Sequence, residues 1–201
     1  MATLPPIIQA GHPTLRAQAR EVPRELLGTK DLKTLIKSMV AVMRAAPGVG
    51  LAAPQIGVSM QIIVLEDSEA LMNKLSPAYR AERERAPFPL KVILNPTLTA
   101  RGSSRATFFE GCLSVKGYMA LVERDLEVEV IGVDEEGAPV TWSARGWPAR
   151  ILQHEVDHLR GTLYVDRMQS RTLCCNEEVI ERWFDQPIDE VRRGLDADRE
   201  P

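Results

Sequence analysis

His154-Glu155-Val156-Asp157-His158 puts two imidazoles and a carboxylate within five residues. On a helix, side chains four apart lie one above the other, so His154 and His158 can grip a single cation. Glu155 lies about 100° round the helix from His154, close enough to reach a water on that cation. This is the residue set of metal-assisted hydrolysis, in which an ion acidifies a water and a carboxylate moves its proton. The chain has only three histidines, and two of them fall in this stretch. The plainer reading is a structural histidine pair on an ordinary amphipathic helix.

Two histidines leave a catalytic zinc-type site one protein ligand short. His12, the third, sits beside Pro13 in an N-terminal arm, where a surface or packing role fits better than ligation. Cys112 is the better candidate, in Glu110-Gly111-Cys112-Leu113-Ser114, where glycine frees the backbone just before the thiol. One Cys with two His suits Zn, Fe, Co or Ni and keeps a position open for water. Spacing alone leaves open the alternative of a buried structural cysteine. Cys174 and Cys175 are adjacent, ill-suited to clamp one ion or to pair, and read as ordinary free thiols. An odd count of three cysteines fits a reducing, intracellular compartment.

The histidine helix carries its own orientation. Ala149, Leu152, Val156 and Leu159 form an apolar stripe, and Arg150, Gln153, Asp157 and Arg160 a polar one. Ile151, His154, Glu155 and His158 make a third, so the helix is expected to be buried on one side and to line a cleft on another. Pro148 suits the first turn, and Gly161 the position just past the end. Upstream, a helix is expected from about Asp31 to Ala45, with Leu32, Leu35, Ile36, Met39 and Met43 inward and Pro47-Gly48 ending it. The small, glycine-rich Gly48-Val49-Gly50-Leu51-Ala52-Ala53-Pro54-Gln55-Ile56-Gly57 lets backbone approach a ligand or strand closely.

Gln61 to Leu65 reads as a buried strand, and Lys91 to Asn95 as another stopped by Pro96. Leu126, Val128 and Val130 alternate with Glu127 and Glu129, and Asp134 to Gly137 turns the chain back into Val140 to Ala144 as a hairpin. Thr162 to Val165 is expected as a short strand. The charged, proline-bearing stretch of about 73–90 reads as a solvated insert, and about 177–201 as a C-terminal surface extension. The expected class is α+β, with antiparallel or mixed sheets packed around a central metal-binding helix. One catalytic domain over 1–201 is expected. Net charge is -3 with pI near 5.7, which argues against direct nucleic-acid binding. No apolar run reaches the roughly 18 residues of a membrane span, and the first ten residues lack a signal peptide's build.

Gly48 to Gln55, Glu110 to Ser114 and Gln153 to His158, in this order and at suitable separations, resemble the three signature motifs of the peptide deformylase family. The resemblance runs from about Pro13 to Arg171. The Ser143-Ala144-Arg145-Gly146-Trp147 lead-in and the insert are more similar to organellar-like type 1 members. It implies removal of the formyl group from the N-terminal formyl-methionine of nascent polypeptides, with release of formate. It makes Cys112, His154 and His158 the metal ligands and Glu155 the general acid/base. Gln55 and the Leu113 N–H become donors to the formyl oxygen. Gly50 matches a position where substrate backbone passes and a side chain would intrude. Glu110 is expected to pair with Arg124.

The implied cofactor is one divalent ion, Fe(II) first, with Zn, Ni or Co as alternatives. The implied partners are formyl-methionyl nascent peptides, with transient proximity to the ribosome, in a bacterial cytoplasm or a mitochondrial or plastid matrix. The peptide is expected to add as an extended strand beside Gly50, with Ile151 in the methionine pocket and Trp147 at its rim. Many family members carry arginine where this chain has Met119, which leaves the preference beyond methionine open. Two rival readings exist. One is a zinc endopeptidase using Glu177, Glu178 or Glu181 as third ligand, although that acidic run is more simply a solvated helix face. The other is a silent binding module that keeps the metal for stability.

Overall fold

The computed structural model describes residues 4–195. Strands β1 (Gly50–Ala52), β2 (Ile62–Asp67), β3 (Phe88–Ala100), β6 (Glu127–Val133) and β7 (Pro139–Arg145) form one sheet in the order β1-β2-β3-β6-β7. Strands β4 (Arg105–Cys112), β5 (Val115–Asp125) and β8 (Cys174–Cys175) form a second. Every pairing within the two sheets is antiparallel. Helix α4 (Trp147–Leu159) touches both, packing on β1, β2 and β7 of the first and on β5 of the second. The architecture is α+β, as expected.

Strand alternation explains the layering. Ile63 and Leu65 face one side of β2 and pack with Leu152, Val156 and Leu159 of α4. Ile62 and Val64 face the other and pack with Ile36, Met39 and Met43 of α1 (Lys30–Ala45). A strand covered on both faces needs a continuous apolar run, which this one has. Helix α1 starts one residue before Asp31 because Thr29 caps it, its hydroxyl accepting the Leu32 N–H at 3.3 Å.

Several local expectations are corrected. β3 does not stop at Pro96: the register shifts between Leu94 and Thr97, and Asn95 sits at φ 50. A bulge absorbs the proline, which has no N–H to give the ladder. Thr162 to Val165 is not a strand. The Asp166 carboxylate accepts the Leu163 N–H at 2.8 Å and turns the chain into a 3-10 helix over Tyr164–Asp166. The β6–β7 hairpin forms as expected, with Asp134 Oδ1 accepting the N–H groups of Glu136 and Ala138.

The stretch 73–90 is not simply solvated. It holds α3 (Pro77–Glu82), a buried Arg83, and Arg85, whose Nε donates to the fully buried Asp67 at 2.8 Å. Its guanidinium groups find aromatic faces and a carboxylate instead of water: Arg83 lies 3.6 Å from the Tyr79 ring centroid. Short α2 (Glu69–Met72) precedes it. The tail, too, is more than a surface extension. After α5 (Asn176–Glu178), Val179 of the π-helical turn Val179–Trp183 and Val191 of α6 (Ile188–Gly194) are buried against Phe109 and Leu121. The last six residues of the expected extension, 196–201, lie outside the described residues.

Gly146 joins β7 to α4 at φ 68 and ψ −131. A Cβ there would stand 2.5 Å from Glu84 Cβ and 2.8 Å from the Glu84 carbonyl oxygen. Gly146→Ala should therefore cost about 2 kcal/mol or more, read as a lower urea midpoint at unchanged slope.

Candidate active site

Three stripes of α4 reach three environments. The apolar stripe enters the core as expected. The polar stripe does not face water: Arg150, Gln153 and Asp157 are all buried, and only Arg160 is exposed. The second sheet covers them and, together with Arg167, satisfies them. Gln153 brackets Asp125, accepting its N–H at 3.1 Å and donating to its carbonyl at 2.8 Å. Asp157 takes Arg167 through two bonds, at 2.6 and 2.7 Å, and Arg124 besides.

The third stripe meets β4. Residues two apart on a strand share a face, so Glu110 and Cys112 point the same way. Glu110 receives Arg124 Nε and Nη2 at 2.9 Å each, Arg150 Nη1 at 2.6 Å, and stands 3.0 Å from His154 Nδ1. The expected pairing with Arg124 is thus one part of a larger cluster. Burial by itself would raise the Glu110 pKa, but the bonds from Arg124 and His154 and the Arg150 charge hold it well below the usual carboxylate range. The carboxylate stays ionised and fixes His154 Nδ1, which leaves Nε2 as the ring atom able to act as a ligand.

Cys112, His154 and His158 each offer a ligand atom, and these atoms lie within 4.8 Å of one another. Cys112 Sγ is 3.3 Å from His158 Nε2. Among the described residues the group contains Cys112, while Glu177, Glu178 and Glu181 are not part of it. Burial pushes the His158 pKa well below the ordinary histidine value, which keeps the imidazole neutral, the form that can ligate. Burial opposes charge on His154 as well, yet its bonds with Cys112 and Glu110 outweigh this and raise its pKa. The same field favours a metal cation. Soft sulfur, two imidazoles and that field fit a single divalent transition-metal ion.

Glu155 is buried on the cleft side of α4, and its Oε2 has no protein partner. Burial pushes its pKa up to about 7. Gly50 faces it, and a Cβ at Gly50 would stand 2.3 Å from Glu155 Oε1. The glycine expected to give way to a substrate backbone is required first by the glutamate. Gln55 is oriented by β1: its Oε1 accepts the Ala52 N–H at 2.8 Å. Its Nε2 is thereby aimed toward Cys112 Sγ at 3.6 Å and Ser114 Oγ at 3.3 Å.

A cleft of about 680 Å³ connects these groups. Gly50, Gln55, Cys112, Leu113, Trp147, Ile151, His154 and Glu155 line it, whereas His158 sits behind it at 1% exposure. Among the described residues no helix is long and apolar enough to cross a membrane.

The polypeptide deformylase family profile matches residues 4–173. This chain belongs to that family. It is 52% identical over 169 residues to the chloroplastic peptide deformylase 1A of Solanum lycopersicum, covering 84% of this chain and 61% of that one. To the mitochondrial peptide deformylase of Homo sapiens it is 48% identical, over 83% of this chain and 68% of that protein. The chain thus spans less than two thirds of the tomato protein. Its fold superposes on a Met-Ala-Ser-bound class I type b peptide deformylase from Acinetobacter baumannii with a TM-score of 0.74 and 33% identity. That match covers 84% of this chain and all of the other. The deformylase family is metal-dependent and removes N-terminal formyl groups.

Beyond the motif residues, Gln9, Tyr79, Arg85, Asn176 and Phe184 also line the deformylase cleft. Their sequence neighbourhoods carry no motif, and only folding brings the arm, the insert and the tail to one rim. Gln9 bolts the turn after Cys112, donating to the Leu113 carbonyl at 3.0 Å and accepting the Lys116 N–H at 3.3 Å.

The raised Glu155 pKa has a stability consequence in metal-depleted protein. Between its ordinary 4.5 and about 7 the folded chain holds more protons than the unfolded one, so this group's contribution falls as pH rises. Glu155→Gln should melt like the parent near pH 4.5 and be more stable at pH 8, by on the order of 3 kcal/mol. Equal melting of the two chelator-treated proteins across that range would count against the buried-charge account.

Proposed function

We propose that this chain is a peptide deformylase acting on the N-terminal formyl-methionine of nascent polypeptides and releasing formate, and that 1–201 works as one catalytic unit. The observation carrying the proposal is the approach of Cys112, His154 and His158 within 4.8 Å beside a cleft lined by Glu155. Cys112 Sγ and one nitrogen of each histidine would hold the ion, with Fe(II) favoured and Zn, Ni or Co suited to the same donors. When bound, the ion supplies a Lewis acid that lowers the pKa of a water and polarises a carbonyl.

The chain's own residues do the rest. Glu155, held near neutrality by burial, accepts a proton from the water as its oxygen bonds to the formyl carbon. Negative charge then grows on the formyl oxygen, and Gln55 Nε2 and the Leu113 N–H donate to it. The C–N bond breaks as Glu155 passes its proton to the methionyl nitrogen, leaving formate and a free amine. Ile151 and Trp147 line the pocket for the methionine side chain, and the peptide extends along β1 past Gly50. The relatives' chloroplastic and mitochondrial names and the need for a free thiolate support a reducing bacterial cytoplasm or organelle matrix. The substrate class supports transient proximity to the ribosome.

The test is hydrolysis of formyl-Met-Ala-Ser by the Fe-, Ni- or Zn-loaded chain. Glu155→Ala should retain metal by elemental analysis and lose nearly all turnover. Gln55→Leu should lose about a hundredfold in kcat. Parental rates in Glu155→Ala would overturn the assignment, and proteolysis surviving Cys112→Ala would favour an endopeptidase.

A further inference from the structure

The cleft continues past the motif residues to a wall built by the insert and the tail. Tyr79 of α3 and Phe184 stack with ring centroids 4.7 Å apart and planes 19° from parallel, and both line the cleft that Cys112 and Glu155 line. Phe184 lies beyond residues 4–173, so the wall joins the family-matched part of the chain to a part outside it.

The stack is braced on every side. Arg83 lies 3.6 Å from the Tyr79 centroid and 4.7 Å from that of Phe108, which ties α3 to β4. Glu82 Oε1 accepts the Ile188 N–H at 2.8 Å, which ties α3 to α6. Arg85 is anchored on buried Asp67 through bonds of 2.8 and 3.2 Å, so its charge is compensated where it lines the cleft. Such bracing gives a fixed surface, and fixed aromatic surface binds apolar groups without first being ordered. The cleft, at about 680 Å³, has the volume of a ligand larger than one methionine side chain. Met119 and Phe109 extend its apolar lining.

We propose that the stacked Tyr79–Phe184 pair is a specificity-determining wall that receives an apolar or aromatic side chain of the formyl-methionyl peptide beyond its first residue. This rests on the deformylase reading. Met119 and Phe109 line the same cleft, so the wall selects by apolar contact.

The experiment compares kcat/KM of the metal-loaded full chain on formyl-Met-Ala-Ser, formyl-Met-Phe-Ser and formyl-Met-Ala-Phe. The parent should favour phenylalanine over the smaller residue at the second or third position by about five- to tenfold, mainly through KM. Tyr79→Ala and Phe184→Ala should bring that ratio close to one, while Tyr79→Phe keeps it. Phe184→Leu, which retains an apolar anchor for the tail, should lower the ratio even if Phe184→Ala fails to fold. A parent with no such preference, or a ratio that survives in folded Tyr79→Ala and Phe184→Leu, overturns the wall. Loss of all deformylation by the loaded parent would instead overturn the underlying reading, and the wall with it.

Discussion

Glu110 is a fully enclosed carboxylate that accepts bonds from two arginines and stands against a histidine, and the site depends on it. Through it, β4, β5 and α4 meet at one point. Arg124 carries the link on to Asp157, and Arg167 joins from the outer end of the helix. Assembling such charges away from water is costly, and the attraction offsets that cost only when every partner is in place. Removing one partner from a buried cluster of this kind typically costs about 3–5 kcal/mol, because the others are left uncompensated. The cluster therefore permits one arrangement of strand against helix. That arrangement brings the Cys112 sulfur, two residues along the strand from Glu110, to the histidine face.

A second constraint works by exclusion. Gly50 and Glu155 come from different elements, and nothing binds one to the other. The glutamate occupies the space that any side chain at position 50 would need. Backbone from β1 thus passes directly over the carboxylate, which on the proposed reading lets a peptide paired with that strand bring its formyl end to Glu155. Gln55, at the far end of the same segment, is held by the Ala52 N–H, and that bond decides which end of its amide faces the sulfur.

Much of this was legible in the chain because it is periodic or local. The i, i+4 histidines, the apolar stripe of α4, the alternation of β6 and the turn at Asp134 all express their geometry within a few residues. The failures share a cause, which is that an interaction outside the periodic pattern, remote or local, overrules it. Arg150, Gln153 and Asp157 read only as a polar stripe until β4 and β5 cover them and supply opposite charges and backbone groups. Pro96 looks like a stop until a bulge lets β3 pass. Asp166 turns Thr162 to Val165 away from a strand by accepting one N–H. Gln9, Tyr79 and Phe184 reach the cleft from three remote segments, and no spacing rule links them.

The division between legible and hidden parts follows the chemistry. An ion and a water impose the same distances on any chain that uses them, so the residues suited to hold them recur at fixed separations and can be read. On the proposed reading the far wall of the cleft would meet only what a peptide carries there, and many packings of insert and tail would serve. Its residues are free to come from anywhere the fold allows. In this chain they come from α3 and from the segment before α6, where the stacking of Tyr79 on Phe184 and a Glu82 carboxylate under the Ile188 N–H fix two otherwise unrelated pieces against each other.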